Sequence, residues 1–180
     1  FIYALNELNK LQLPHIDMIL SAQWAEHNYA GVKCGIMDQF ASMMGKKDHV
    51  FVLDCRSLSH EYFPLALNGY DLLLLDTGVK HSLADSEYNT RRQECEQGVG
   101  ILKKYYPQVN SLRDVTPQML EEHKAEFTSK TYDRCIYVVH ENLRVGEASK
   151  NLIAGDIKNF GKKMYETHDG LSRLYEVSCK

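Results

Sequence analysis

Long apolar runs are missing from this sequence. Those present are short, such as Leu72 to Leu75, whereas crossing a bilayer takes roughly 20 apolar residues. No membrane contact is therefore expected, and no signal peptide is read at the start. Any bias of charge is missing too. Lys and Arg total 21 against 24 Asp and Glu, interspersed along the chain, for a net charge of −3. That leaves no basic stripe for nucleic acid and no acidic block of the kind found in disordered tails. Cysteine pairing signals are also lacking. Cys34, Cys55, Cys95, Cys135 and Cys179 are widely and irregularly spaced, with no C-x-x-C. This argues against a disulfide framework and a zinc knuckle, and fits free thiols in a reducing cytosol. The eight histidines fall in no metal-site spacing. No repeat or low-complexity segment is present.

What is there suits a globular chain. With 180 residues, 44% of them hydrophobic, it can build one large domain or two small ones around a core. Ile2, Leu5 and Leu8 are spaced for a helix over residues 1–10, with Pro14 as its breaker. Asp17 is expected to cap a second helix carrying Ile19, Leu20 and Trp24 on one face. Gly31 to Gly35 reads as a loop, and a short helix follows from about Asp38 to Met44, ended by Gly45. From His49 the period changes. Residues 50–55 and 61–65 read as two strands around a turn at Arg56 to Ser59. Asn68-Gly69 is a turn signal. Tyr70 to Thr77 is nearly all apolar, as in a central strand buried on both faces. Beyond it the pattern is helical. A long helix is expected from Ser82 or Ala84 to Tyr106, and a short one at Thr116-Pro117. Two more run over Thr131 to Ala154 and Asp156 to Val177, with Gly155 as stop and Asp156 as cap. The class is α+β, strands in the middle and helices on both sides. Phe1 opens within a helical pattern and Lys180 follows another, so both ends read as internal to a longer protein.

Three places can carry chemistry. Asp38 follows a glycine-containing loop where a helix begins, and the positive end of the helix favours its charged form. It can accept a proton or bind a hydroxyl, or it can simply cap the helix. Glu26 closes an amphipathic helix; it can offer a hard oxygen to Mg²⁺ beside a phosphate, or be an exposed helix-end glutamate. In the segment from Thr77 to Arg92 a strand gives way to a loop with Lys80 and His81. A helix then carries Tyr88, Arg91 and Arg92. Tyr88 shares a face with Arg92; its hydroxyl can meet a polar ligand, or the ring can be half-buried at a solvated helix start.

In order, these segments resemble the galactokinases of the GHMP small-molecule kinase superfamily. The resemblance rests on Ala25-Glu-His-Asn-Tyr-Ala-Gly31, Cys34-Gly-Ile-Met-Asp-Gln-Phe40 and Leu53-Asp-Cys-Arg-Ser57. It continues through His81-Ser-Leu-Ala84, Ser86-Glu-Tyr88, Arg91-Arg92, Cys95-Glu96, Gly155-Asp156, Glu166-Thr-His168 and Tyr175-Glu-Val-Ser-Cys179. The run from Glu26 to Phe40 is the most specific. The resemblance implies a two-domain fold with the active site between domains. Residues 1–68 would close the N-terminal domain and 69–180 open the C-terminal one. It implies transfer of the γ-phosphoryl group of ATP to the C1 hydroxyl of α-D-galactose. Asp38 matches the catalytic aspartate, Gly35 and Tyr88 match sugar-binding positions, and Glu26 matches the carboxylate associated with Mg²⁺. A cytoplasmic location and a monomer are the expected setting. The family's N-terminal sugar motif, its phosphate loop of the G-L-S-S-S-A type and its C-terminal glycine-rich motif are not in this sequence. No ATP-binding residue is therefore assigned here, and the chain alone is expected to be inactive. Alternatives are a kinase for N-acetylgalactosamine or arabinose, or a kinase-like galactose sensor that contacts a transcriptional regulator.

Overall fold

The computed structural model describes residues 1–76, 78 and 88–178. Two compact units divide the chain. One spans Phe1–Ala66, with which Leu75, Asp76 and Gly78 group; the other takes Leu67–Leu74 and residues 88–178.

The first unit begins with helix α1 (Ile2–Asn9). It stops well short of Pro14, because Lys10 turns left-handed (φ 52°) and returns its N–H to Asn6 and Glu7 carbonyls. The buried Asn6 amide oxygen then accepts from Leu13 N–H at 2.8 Å and holds the returning chain. Pro14 instead precedes helix α2 (His15–Ala25), where its lack of an N–H costs nothing. Asp17 lies inside the first turn of α2 and is not its cap, and no side chain caps this helix. Met18 and Ile19 are the buried face, while Leu20 and Trp24 are exposed. At Glu26 the helix widens into one π turn, Glu26–Ala30, closed by Gly31 at φ 70°. Helix α3 (Met37–Met44) follows the loop. Its fully buried Phe40 packs on Ile19 and Ile36 and on the partly buried Phe51 and Leu53.

Phe51 and Leu53 belong to strand β1 (His49–Leu53), which pairs antiparallel with β2 (His60–Pro64), Phe51 opposite Tyr62. Asp54 Oδ1 accepts from Arg56 and Ser57 N–H groups and shapes the turn. Tyr62 donates its hydroxyl to Met44 O at 2.5 Å, which ties the hairpin to the end of α3.

Residues 70–76 form no strand, contrary to the expectation from their apolar run. Leu74 is fully exposed, and Leu73 and Leu75 nearly so. A strand exists only by pairing its backbone groups, and among the described residues β1 and β2 pair with each other alone. The loop with Lys80 and His81, the expected helix start at Ser82 or Ala84, and Cys179 lie outside the described residues.

The second unit is helical. Helix α4 (Tyr88–Leu102) ends before the expected Tyr106. Helix α5 (Pro117–Glu122) has Thr116 as cap and proline at its first position, as expected. Helix α6 (Ser129–Ile153) starts two residues before the expected Thr131, capped by Thr128. Gly155 at φ 68° separates it from α7 (Ile157–Arg173), whose N-cap is Asp156. Leu102, Val109, Leu112, Val115, Leu120, Phe127, Cys135 and Val139 make the core. Gly98 lets α4 approach α6: a Cβ there would sit 2.2 Å from Cys135 Sγ.

Buried charge fixes the end of this unit. Arg91 donates to the carbonyls of Tyr175 (2.5 Å) and Glu176 (2.9 Å) and pairs with Glu94. Arg134 is 1% exposed; it binds Glu94 and Glu176 carboxylates and the Leu174 carbonyl. Residues 174–176 are thus clamped by two guanidinium groups.

Candidate functional site

The π turn has a direct consequence for Glu26. Adding a residue to the helical turn reorients the side chains that follow, and such bulges recur at functional sites. Here it lets the loop fold back. Val32 N–H reaches Glu26 O at 3.2 Å. The Cys34 carbonyl accepts from His27 Nε2 (2.8 Å) and Gln23 Nε2 (3.3 Å). A carbonyl only accepts, so His27 carries its proton on Nε2 in this contact.

Folded this way, the loop delivers Cys34 to Glu26. Cys34 Sγ donates to Glu26 Oε2 at 3.1 Å, and Gln39 Nε2 donates to Glu26 Oε1 at 2.9 Å. Burial first, and then the bond to Glu26, push the Cys34 thiol up, so it stays protonated and donating. Glu26 is therefore not a free helix-end glutamate. It is half-buried, with each carboxylate oxygen held by one donor. Gln39 Oε1 is the only buried side-chain nitrogen or oxygen without a hydrogen-bond partner among the described residues.

Asp38 precedes Gln39 in the first turn of α3. Capping is not its role, since Ile36 is the N-cap residue and no side chain caps the helix. Its carboxylate is exposed and makes no hydrogen bond or ion pair among the described residues. It stands beside the free N–H groups of the helix start. Glu26 and Asp38 line one groove of about 940 Å³, walled by α1, α2 and α3. Its sides are largely apolar, from Ile2, Leu5, Met18, Ile19 and Met43, with Gln39 and Ser42 beside the two acids. Gly35 stands on the adjoining loop and is exposed, but does not line the groove.

Tyr88 belongs to the other unit, where it opens α4 and is 42% exposed. It lines a second cavity, about 380 Å³, with Arg92, Cys95, Asn110 and Tyr175. Tyr88 and Arg92 do share a face, and Arg92 is paired to Glu96 at 2.7 Å. Burial pushes the Tyr175 phenol up, so it is a neutral wall of this cavity. Sequence reasoning paired Glu26 with Asp38 but passed over Cys34 and Gln39 as functional groups. Their only signal was membership of the same short run.

Residues 1–46 match the family model described as the GHMP kinases N terminal domain. The galactokinase of Thermotoga petrophila is 42% identical over 178 residues, 99% of this chain and 48% of that protein. That of Clostridium acetobutylicum is 41% identical over 175 residues, 97% of this chain and 45% of its own length. The crystal structure of Lactococcus lactis galactokinase complexed with galactose matches with a TM-score of 0.90 at 28% identity, covering 98% of this chain and 45% of that one. The chain thus resembles galactokinases over nearly all its residues, in sequence and in structure, and spans about half the length of the relatives it matches.

Proposed function

We propose that this chain is the central part of a galactokinase, a phosphotransferase that moves the γ-phosphoryl group of ATP to the C1 hydroxyl of α-D-galactose. The observation that carries the reading is the shared groove. A carboxylate without partners, Asp38, and a carboxylate held by two donors, Glu26, face the same space. Phosphoryl transfer asks the protein for in-line positioning and for neutralised charge, and for little covalent help. The two carboxylates divide those needs.

Asp38 orients the C1 hydroxyl and takes its proton as the hydroxyl oxygen bonds to phosphorus and the bond from phosphorus to ADP breaks. Gly35 offers a backbone group to the sugar and Tyr88 its hydroxyl. Glu26 is the residue that would hold Mg²⁺. No group of three or more His, Cys, Asp or Glu that could cage a metal occurs among the described residues. Magnesium beside ATP needs no cage, being held by one or two carboxylates together with phosphate oxygens and water. The Glu26 carboxylate is an oxygen donor of that kind. When bound, the ion neutralises charge on the phosphates. Residues 1–68 would close the N-terminal domain and 69–180 open the C-terminal one, in a cytoplasmic monomer.

The test is Asp38→Asn in a galactokinase-length protein carrying this chain. Sugar phosphate formation is expected to fall about 10²- to 10⁴-fold, the usual reach of a general base, with galactose binding retained. Near-normal turnover would sink the assignment.

A further inference from the structure

We infer that Gln39 is a positioning residue for Glu26, and that its Oε1 is the acceptor kept for a water or hydroxyl of the loaded site. This rests on the phosphotransferase reading above.

The geometry allows one orientation of the amide. Nε2 lies 2.9 Å from Glu26 Oε1 and 3.7 Å from Cys34 Sγ. Turning the amide over would set Oε1 against the carboxylate oxygen, lone pair to lone pair. The donor must therefore face Glu26, and Oε1 must be the atom left over. A buried oxygen without a partner is costly, and native structures rarely keep one without a reason. It lies on a residue that lines the groove together with Glu26 and Asp38.

Position adds to this. Gln39 follows Asp38 directly on α3, while Glu26 stands on the π turn. A side chain on α3 thus fixes the carboxylate on the other element, so the two acids cannot drift apart independently. Cys34 holds the remaining oxygen from the loop side. Both donors bind the carboxylate while each of its oxygens keeps a further lone pair for a cation. Groups that orient a metal-binding carboxylate change metal affinity about 10- to 100-fold when removed.

The experiment uses a galactokinase-length protein and Mn²⁺ with ATP, followed by electron paramagnetic resonance, which reads binding without turnover. Gln39→Leu is expected to weaken Mn²⁺ binding about 10-fold or more, leaving the KM for galactose unchanged. Glu26→Gln is expected to weaken it at least as much. Adding Gln39→Leu to Glu26→Gln should then have no further effect, because Gln39 acts through Glu26. Gln39→Met serves as the second variant if leucine fails to fold. Wild-type Mn²⁺ affinity in Gln39→Leu or Gln39→Met overturns the inference, as does an undiminished loss in the Glu26→Gln background. A wild-type protein that neither binds Mn²⁺ with ATP nor makes sugar phosphate sinks the kinase reading itself, and this inference with it.

Discussion

Cysteine and glycine at Cys135 and Gly98 show how closely single residues are fitted in the second unit. Cys135 is fully buried in the core, and a Cβ on residue 98 would meet its sulfur at 2.2 Å and Phe127 at 3.2 Å. Cys135 Sγ ends a short, enclosed side chain, so relief requires the helices to part. Gly98→Ala should destabilise the fold by about 1–3 kcal/mol, read as a lowered urea midpoint with an unchanged slope. At this scale the sequence was partly legible. Asp38 and Glu26 could be singled out by residue type and neighbourhood. That Asp38 is not a cap could not, because a cap is defined by backbone angles one or two residues away. Cys34 and Gln39 meet Glu26 across 8 and 13 residues through a π turn, and such a turn leaves no periodic mark in sequence.

Elements were easier to read where a single residue dictates geometry. Thr116-Pro117, Gly155 and Asp156 mark real helix boundaries because caps and breakers act locally. The hairpin followed from its change of period. The strand expected at 70–77 is not formed over its described residues 70–76, since periodicity tells what a strand would bury and not which strand it pairs with. The segment 174–176 illustrates a longer-range device. Arg134 holds the Glu176 carboxyl below its ordinary range through hydrogen bond and charge. A carboxyl lowered on folding lends stability above its unfolded pKa and loses it as pH falls through the lowered folded value. Amide hydrogen exchange at residues 174–177 should therefore stay slow through the ordinary carboxylate range and rise only below it. Arg134→Met should release the segment at neutral pH and cost about 3–5 kcal/mol, because the Glu94 and Glu176 carboxylates and the Leu174 carbonyl lose their shared guanidinium partner. Slow exchange retained in that variant would refute the clamp.

The whole molecule is a matter of what one chain can hold. It spans about half the length of the galactokinases it resembles. Its two units carry different candidate groups, Glu26, Gly35 and Asp38 in the first and Tyr88 in the second. Residues 1–180 expressed alone are expected to give no ATP-dependent galactose phosphorylation in a coupled assay. Measurable turnover would show that the nucleotide-holding groups are already here. The resemblance and the fold class were legible from ordered motifs because motifs are written in residue identity. The grouping of Leu75, Asp76 and Gly78 with the first unit was not, since it depends on how the chain doubles back.

The bare run from Leu72 to Leu75 has a practical side. Four consecutive leucines with open backbone groups are a template on which a second copy can zip up edge to edge. Asp71 and Asp76 bracket the run and act as gatekeepers, because stacking copies would bring like charges together. Handling residues 1–180 thus becomes a contest between stickiness and repulsion. Light scattering should rise with concentration and salt, and faster once either aspartate is replaced by asparagine.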